Sequence, residues 1–409
     1  NVRQIKNDLL KDATNGAMLS NTKLHQQLAL PLIILSQLLG TSLWFSINGV
    51  WLPLSAEHHL NEADLGAYTL AVQLGFIIGT LTLALTGFAD RYRASQIFLL
   101  SSIAGALVNA LFIVAIDHST LGWLLRFLTG LCLAGIYPMG MKLVISWVPR
   151  YAGSALSWLL AMLTLGTALP HLMRGITLDF SWEIPLLTSS ILALLGGLLV
   201  GWLGSGPHLP SVATPQTLRS GLRALTQPKF RAIAIGYFGH AWELYAFWML
   251  TPLLVLHPLA TLNVPLGTVP WLAFSIIAIG SLGCIGGGIM SKKIGGLRVA
   301  RLALFSSGAI CLLYPLMTEL PAGFIFALLL LWGLTVIADS PQFSALAAQF
   351  APKENIGSAL AIMNAIGFSL TLPAIWLTSN LWSIHNEWVT WLLLPGPVIG
   401  LWAMRKLSA

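Results

Sequence analysis

GLCLAGIYPMGMKLVISWVPRYAGSAL, residues 130–156, and GLTVIADSPQFSALAAQFAPKENIGSAL, residues 333–360, are two versions of one segment. Gly130 matches Gly333, Pro138 matches Pro341, Pro149 matches Pro352 and Arg150 matches Lys353, all at an offset of 203. One inserted residue then brings Gly153, Ser154, Ala155 and Leu156 onto Gly357, Ser358, Ala359 and Leu360. Leu169 and Pro170 answer Leu372 and Pro373 at the original offset. A repeat at half the length of a 409-residue chain describes two related halves, not a solenoid. In a membrane chain, two related halves are the build of an alternating-access transporter.

Composition places this chain in a membrane. Apolar residues make up 56% and charged residues 9%, against roughly 25% charged in a soluble domain. Each crossing needs about 20 mostly apolar residues. The apolar runs predict twelve spans, at 28–51, 65–87, 96–116, 120–147, 152–175, 183–204, 231–256, 269–290, 298–317, 321–349, 355–379 and 388–404. The fold class read from them is an all-α polytopic membrane protein of two pseudo-symmetric six-helix bundles. Its expected parts are a cytoplasmic segment 1–27, a bundle 28–204, a linker 205–230, a bundle 231–404 and a tail 405–409.

Basic residues test the count. With the N-terminal side cytoplasmic, 18 of the 21 Lys and Arg fall on the inner side, from Arg3, Lys6, Lys11 and Lys23 through to Arg405 and Lys406. The outer loops 52–64, 257–268 and 380–387 hold none, as the positive-inside rule requires. The net charge of +7 is thus a topology signal and does not point to nucleic acid. A bacterial inner membrane, with both ends cytoplasmic, is the expected location, and the protein is expected to act as a monomer. No cleavable leader is expected, because the first apolar run is long enough to span. In the linker, Leu218, Leu222 and Leu225 alternate with Arg219, Arg223 and Lys229, which suits a helix on an anionic inner leaflet. Cys132, Cys284 and Cys311 lie in apolar runs without ligand spacing and read as packing residues. No metal or other cofactor is expected.

Two local motifs resemble the major facilitator superfamily. The loop TGFADRYRAS, residues 86–95, is similar to that family's signature G-x-L-a-D-R-x-G-r-k, with Ala89, Asp90 and Arg91 in place. It departs at Thr86, Arg93 and Ser95. The equivalent loop GIMSKKIGGLR, residues 288–298, has Lys292 where the acid would be. Arg126 and Gly130 match the family's R-x-x-x-G element of span four. The resemblance implies two bundles rocking about a central solute cavity lined by spans one, four, seven and ten. It also implies a latch on the inner side, in which Asp90 pairs with a basic residue or helix N-terminus; Arg91, Arg93, Arg150 and Lys293 are the basic candidates.

Charge within a span is a functional candidate by default. Glu243 and His240 stand three residues apart in span seven, among Trp242, Tyr245 and Trp248, and so share a helix face. With Asp339 of span ten they are the expected proton-coupling groups, a histidine titrating near neutrality. Arg126, and less directly Lys142, are the expected contacts for an anionic solute. His171 and Arg174 would form an outer vestibule. Asn48, Gln37, Gln73, Asn364, Trp44, Tyr245 and Trp248 are the further candidate solute contacts, with helix–helix hydrogen bonding the alternative for the amides. The glycines 280, 283 and 286–288 read as close-packing surfaces. No H-E-x-x-H, G-x-S-x-G or P-loop is present, and the ionisable residues are spread along the bundle axis, so an enzyme is not expected. The expected function is a proton-linked secondary transporter of a small organic, anionic solute. The alternative is a proton antiporter exporting a metabolite, siderophore or amphiphilic drug, although TLGTALPHLMRG, residues 164–175, lacks the Gly-Pro element of the drug antiporters.

Overall fold

The computed structural model describes residues 27–208, 218–262, 264–353 and 356–407; the side chains of Asp90 and of residues 151–153 and 218–220 lie outside that description. The expectations for the N-terminal segment, including Arg3, Lys6, Lys11 and Lys23, and for the middle of the linker fall outside the described residues.

All the described regular structure is helical. Span one consists of α1 (Gln27–Thr41), α2 (Ser46–Gly49) and α3 (Trp51–His58). Then come α4 (Glu62–Thr86), the short α5 (Phe88–Arg91), α6 (Ala94–Leu111), α7 (Ser119–Trp147), α8 (Ala152–Ile176) and α9 (Glu183–Leu203). The linker helix α10 (Leu218–Ala224) leads to α11 (Pro228–Leu254), α12 (Leu256–Leu262), α13 (Val269–Ile294) and α14 (Gly296–Leu313). Span ten is divided into α15 (Ala322–Thr335) and α16 (Ser340–Phe350), followed by α17 (Ile356–His385) and α18 (Pro395–Met404). Ten stretches among the described residues are long and apolar enough to cross a bilayer, and α1 is a shorter apolar helix. One stretch, Ile356–Met404, is two crossings: the chain turns at Asn386, where φ is +47°, and returns through a 3-10 segment and α18. The arrangement is consistent with the twelve spans read from the sequence.

The ends of these helices follow from local chemistry. Asn61 caps α4 by accepting from the backbone N–H of Ala63 and Asp64, while Asp64 accepts from the N–H of Asn61. Both equivalent loops turn on a glycine at positive φ, Gly87 at +65° and Gly295 at +89°. The repeat has a packing counterpart. Gly130 of α7 lies against the Val72 carbonyl of α4, and Gly333 of α15 lies against the Ile276 carbonyl of α13. A side chain at either site would strike backbone, so the matched glycines set the same close helix approach in each bundle.

The basic loops, carrying Arg91, Arg93, Arg150, Lys292, Lys293 and Arg405, mark one end of the bundles, here called the basic face. The linker starts there: Ser205 Oγ lies 3.0 Å from Ser95 Oγ, and Gly206 N donates to Ser146 Oγ. α10 packs on α17 beside Gly221, with Leu222 exposed. Towards the other end, one hydrophobic core crosses between the bundles, joining Trp44 and Phe45 to Tyr245 and Trp248. A second core, including Phe230, Tyr237, Phe343 and Met404, belongs to the basic-face half of the C-terminal bundle.

Candidate functional site: a cavity beneath an aromatic plug

Two spans are broken midway. Span one loses its helix between Thr41 and Ser46, and span ten between Thr335 and Ser340. A break frees backbone carbonyls, which must be satisfied inside the protein at membrane depth. Pro341 accounts for the second, since it lacks an N–H and is accommodated in the first turn of α16. The first contains neither proline nor glycine, and Arg126 supplies its donors. One terminal nitrogen of Arg126 donates to Leu43 O (3.2 Å) and Trp44 O (2.9 Å). The other donates to Ser46 Oγ (3.1 Å) and Asn109 Oδ1 (2.8 Å). Asn109 in turn donates to Ser190 Oγ and Leu186 O.

The first break orients Trp44 and Phe45. Trp44 packs against Phe76 (ring centroids 4.7 Å) and Tyr245 (5.5 Å) at a tilt and stacks on Phe368 (6.4 Å), and its indole donates to Gln73 Oε1. Phe45 meets Trp248 edge-on at 5.9 Å. Tyr245, Trp248 and Phe368 belong to the other bundle, so this cluster plugs the interface. Beyond it, at the face opposite the basic one, Gly66 abuts Ser379 and Gly175 abuts Trp271 across the same interface.

Below the plug, towards the basic face, the bundles separate. One cavity, of about 60 Å³, is lined among others by Tyr137, Tyr237, His240, Tyr245, Ser340 and Asn364. A second runs beside it and shares Tyr137, Met141, Asn364 and Phe368. Among the described lining residues of these two cavities there is no Lys, Arg, Asp or Glu. His240 is the ionisable nitrogen on the wall. Its Nδ1 lies 2.7 Å from Asp339 Oδ1, and both side chains are almost fully buried, at 3% and 1% exposure. Asp339 occupies the N-cap position of α16, at the break of span ten.

Glu243 and His240, expected as a coupling pair, have different partners in the structure. Three residues on a helix turn through 300°, which leaves room for divergence. His240 faces Asp339 and the cavity, whereas Glu243 faces the interior of its own bundle. There Glu243 accepts from Trp332 Nε1 (2.6 Å) and Ser307 Oγ (2.9 Å). Both terminal nitrogens of Arg126 are committed, to the broken span and to Asn109, and Arg126 does not line the two cavities. Lys142 donates from Nζ to Ala89 O, tying α7 to the α5 turn, and does not line the cavities. Of the expected vestibule pair, His171 is buried, and Arg174 donates to Thr177 O, Leu178 O and Phe180 O just beyond the end of α8.

Of the neutral candidates, Asn364 and Tyr245 line the cavity, and Trp44, Trp248 and Gln73 belong to the plug. Asn48 donates to Thr69 Oγ1, and Gln37 is buried against Gly140. Arg91, Arg93, Arg150 and Lys293 lie at the basic face, and none is in a described ion pair. The Asp90 side chain is outside the described structure. Tyr137, Tyr237, Ser340, Ser307, Trp332 and Asn109 were not anticipated. Asn109 was accessible to the same reasoning as Asn48, being a lone amide in an apolar span; the others carried no sequence signal.

Comparison with solved structures places the fold beside a bacterial homologue of the human lysosomal transporter Spinster, determined inward-facing and unoccupied. The likeness covers 93% of each chain at a TM-score of 0.66 and 16% identity. No curated protein matches this chain in sequence. The profile of the Major Facilitator Superfamily matches residues 33–373, from span one into span eleven. With the twofold repeat, the two bundles and the cavity between them, the chain belongs to the Major Facilitator Superfamily and is a multi-pass secondary transporter.

Proposed function

We propose that this transporter couples proton movement to the passage of a small amphiphilic organic solute, and that His240 and Asp339 are the coupling pair. The observation that carries the reading is their 2.7 Å contact at the break of span ten, with His240 on the cavity wall. A buried histidine–carboxylate pair holds or loses a proton as one unit. It stands where a solute would touch one partner while the other occupies the N-cap position of α16, so a change of protonation bears on the helix break itself. Discontinuous helices at mid-depth are where transporters of several folds bind solute and coupling ion.

The cavity chemistry favours an amphiphile over a strongly anionic solute. Three tyrosines, Phe368 and several aliphatic side chains offer apolar faces, and Asn364, Ser340 and Ser344 offer hydrogen bonds. An anionic group remains a second reading on one observation: protonated His240 would supply a cation on the wall. Glu243, turned away from the cavity, fastens α11 to α14 and α15. The basic face is proposed to be cytoplasmic on the strength of the Lys and Arg distribution. Residues 28–204 and 231–404 are the two proposed bundles, and the Asp90 loop is the proposed latch that closes when the cavity faces outward.

The test is transport in proteoliposomes, with a solute first identified by thermal stabilisation at two pH values. His240→Gln and Asp339→Asn should each abolish accumulation driven by a proton gradient while leaving solute counterflow measurable. Proton-driven accumulation at the parent rate in either variant removes the pair from the coupling role.

A further inference from the structure

We infer that Arg126 is a positioning residue for the plug: it holds the unwound segment of span one so that Trp44 closes the cavity from the face opposite the basic one. Its burial, at 1% exposure, and its four bonds leave its terminal nitrogens nothing to offer a solute. What they hold is the backbone that carries the plug. Leu43 O and Trp44 O are carbonyls left without helical partners by the break, and an unsatisfied carbonyl at this depth favours rewinding of the helix. Rewinding residues 42–45 would turn Trp44 out of register with Tyr245 and Phe368.

The geometry requires arginine. Two acceptors in the backbone of span one and two side-chain acceptors, on α2 and α6, are reached together by the two terminal nitrogens of a planar fork. A lysine has a single nitrogen and cannot serve both sets. The brace is itself braced, since Asn109 accepts from Arg126 while donating to Ser190 Oγ and Leu186 O on α9. Trp44 is fixed from its other end by Gln73 of α4. Four elements of the N-terminal bundle (α2, α4, α6 and α7) thus converge on one indole, whose ring meets the C-terminal bundle. The arrangement transmits the internal packing of one bundle to the seal between the two.

The experiment measures the opening of that face directly and needs no solute. Spin labels are placed on Thr120→Cys and Leu262→Cys, exposed residues of opposite bundles at the plugged face, with the partly exposed Cys132 replaced by Ala. The parent should show one short inter-label distance. Arg126→Lys should add a longer population, raising the open-to-closed ratio by tenfold or more, since each lost hydrogen bond to a charged group contributes about a factor of ten. Trp44→Ala, which keeps the arginine network, should add the same population. A merely destabilising role for Arg126 would lower thermal stability without changing the distances. Unchanged distances in Arg126→Lys overturn the inference. Should that variant fail to insert, Asn109→Ala carries the test, and unchanged distances there overturn it equally.

Discussion

Separating His240 from Asp339 provides a measurement of what the pair is. His240→Gln leaves Asp339, at 1% exposure, without the imidazole 2.7 Å away. If the contact is an ion pair, one buried charge is left uncompensated, at a cost of about 3–5 kcal/mol. If both groups are neutral, only a polar contact is lost and a buried polar group stranded, costing about 1–3 kcal/mol. Asp339→Asn leaves the histidine in the mirror situation. The double variant retains a neutral amide pair at the same site, so it should cost no more than the worse single variant. Reversible unfolding in mixed micelles gives the three free energies, and the double-mutant cycle gives the coupling. Single effects near the upper range, with a coupling above about 2 kcal/mol, agree with a charged pair at the break of span ten. Additive effects, with the double variant equal to the sum of the singles, would refute the argument that the two side chains act as a unit.

Other consequences are open to simpler assays. Glu243→Gln should retain pH-dependent transport while lowering thermal stability, because the amide keeps one acceptor for Trp332 or Ser307; loss of proton dependence in that variant would return Glu243 to the coupling role. Gly130→Ala and Gly333→Ala should each destabilise by about 1–3 kcal/mol, the range for overpacking a filled interface, and by similar amounts because they occupy equivalent contacts. Thermal unfolding that shows one of them to be neutral would break the equivalence. Arg174→Ala should lower stability by about 1 kcal/mol through loss of its carbonyl caps, with solute uptake unchanged.

Sequence reasoning reached the architecture because the bilayer imposes it. Span positions follow from apolar length, and the repeat at offset 203 follows from a twofold demand for close helix approach, seen at Gly130 and Gly333. The charged candidates were visible for the same reason: Arg126, Glu243 and Asp339 are costly where they stand. Their partners were not visible. Arg126 satisfies carbonyls at Leu43 and Trp44, and a helix break in Ser42-Leu43-Trp44-Phe45 carries no proline or glycine to announce it. The histidine chose the acid on another span over the acid on its own helix, a choice made by bundle packing and invisible to residue spacing. Arg174 shows the same limit on a smaller scale, since its acceptors are main-chain carbonyls of the following turn.

Proton counting on ligand addition shows whether His240 and Asp339 exchange a proton in step with the solute. The purified transporter in weakly buffered detergent receives a saturating amount of a ligand selected by thermal stabilisation, and the pH change is recorded. Linkage between ligand and proton at one coupled pair predicts exchange of about one proton per protein, with a magnitude that varies with pH. The double variant with His240→Gln and Asp339→Asn should bind the ligand and exchange none. The same proton count in the double variant as in the parent would mean that the exchanged proton sits on other groups.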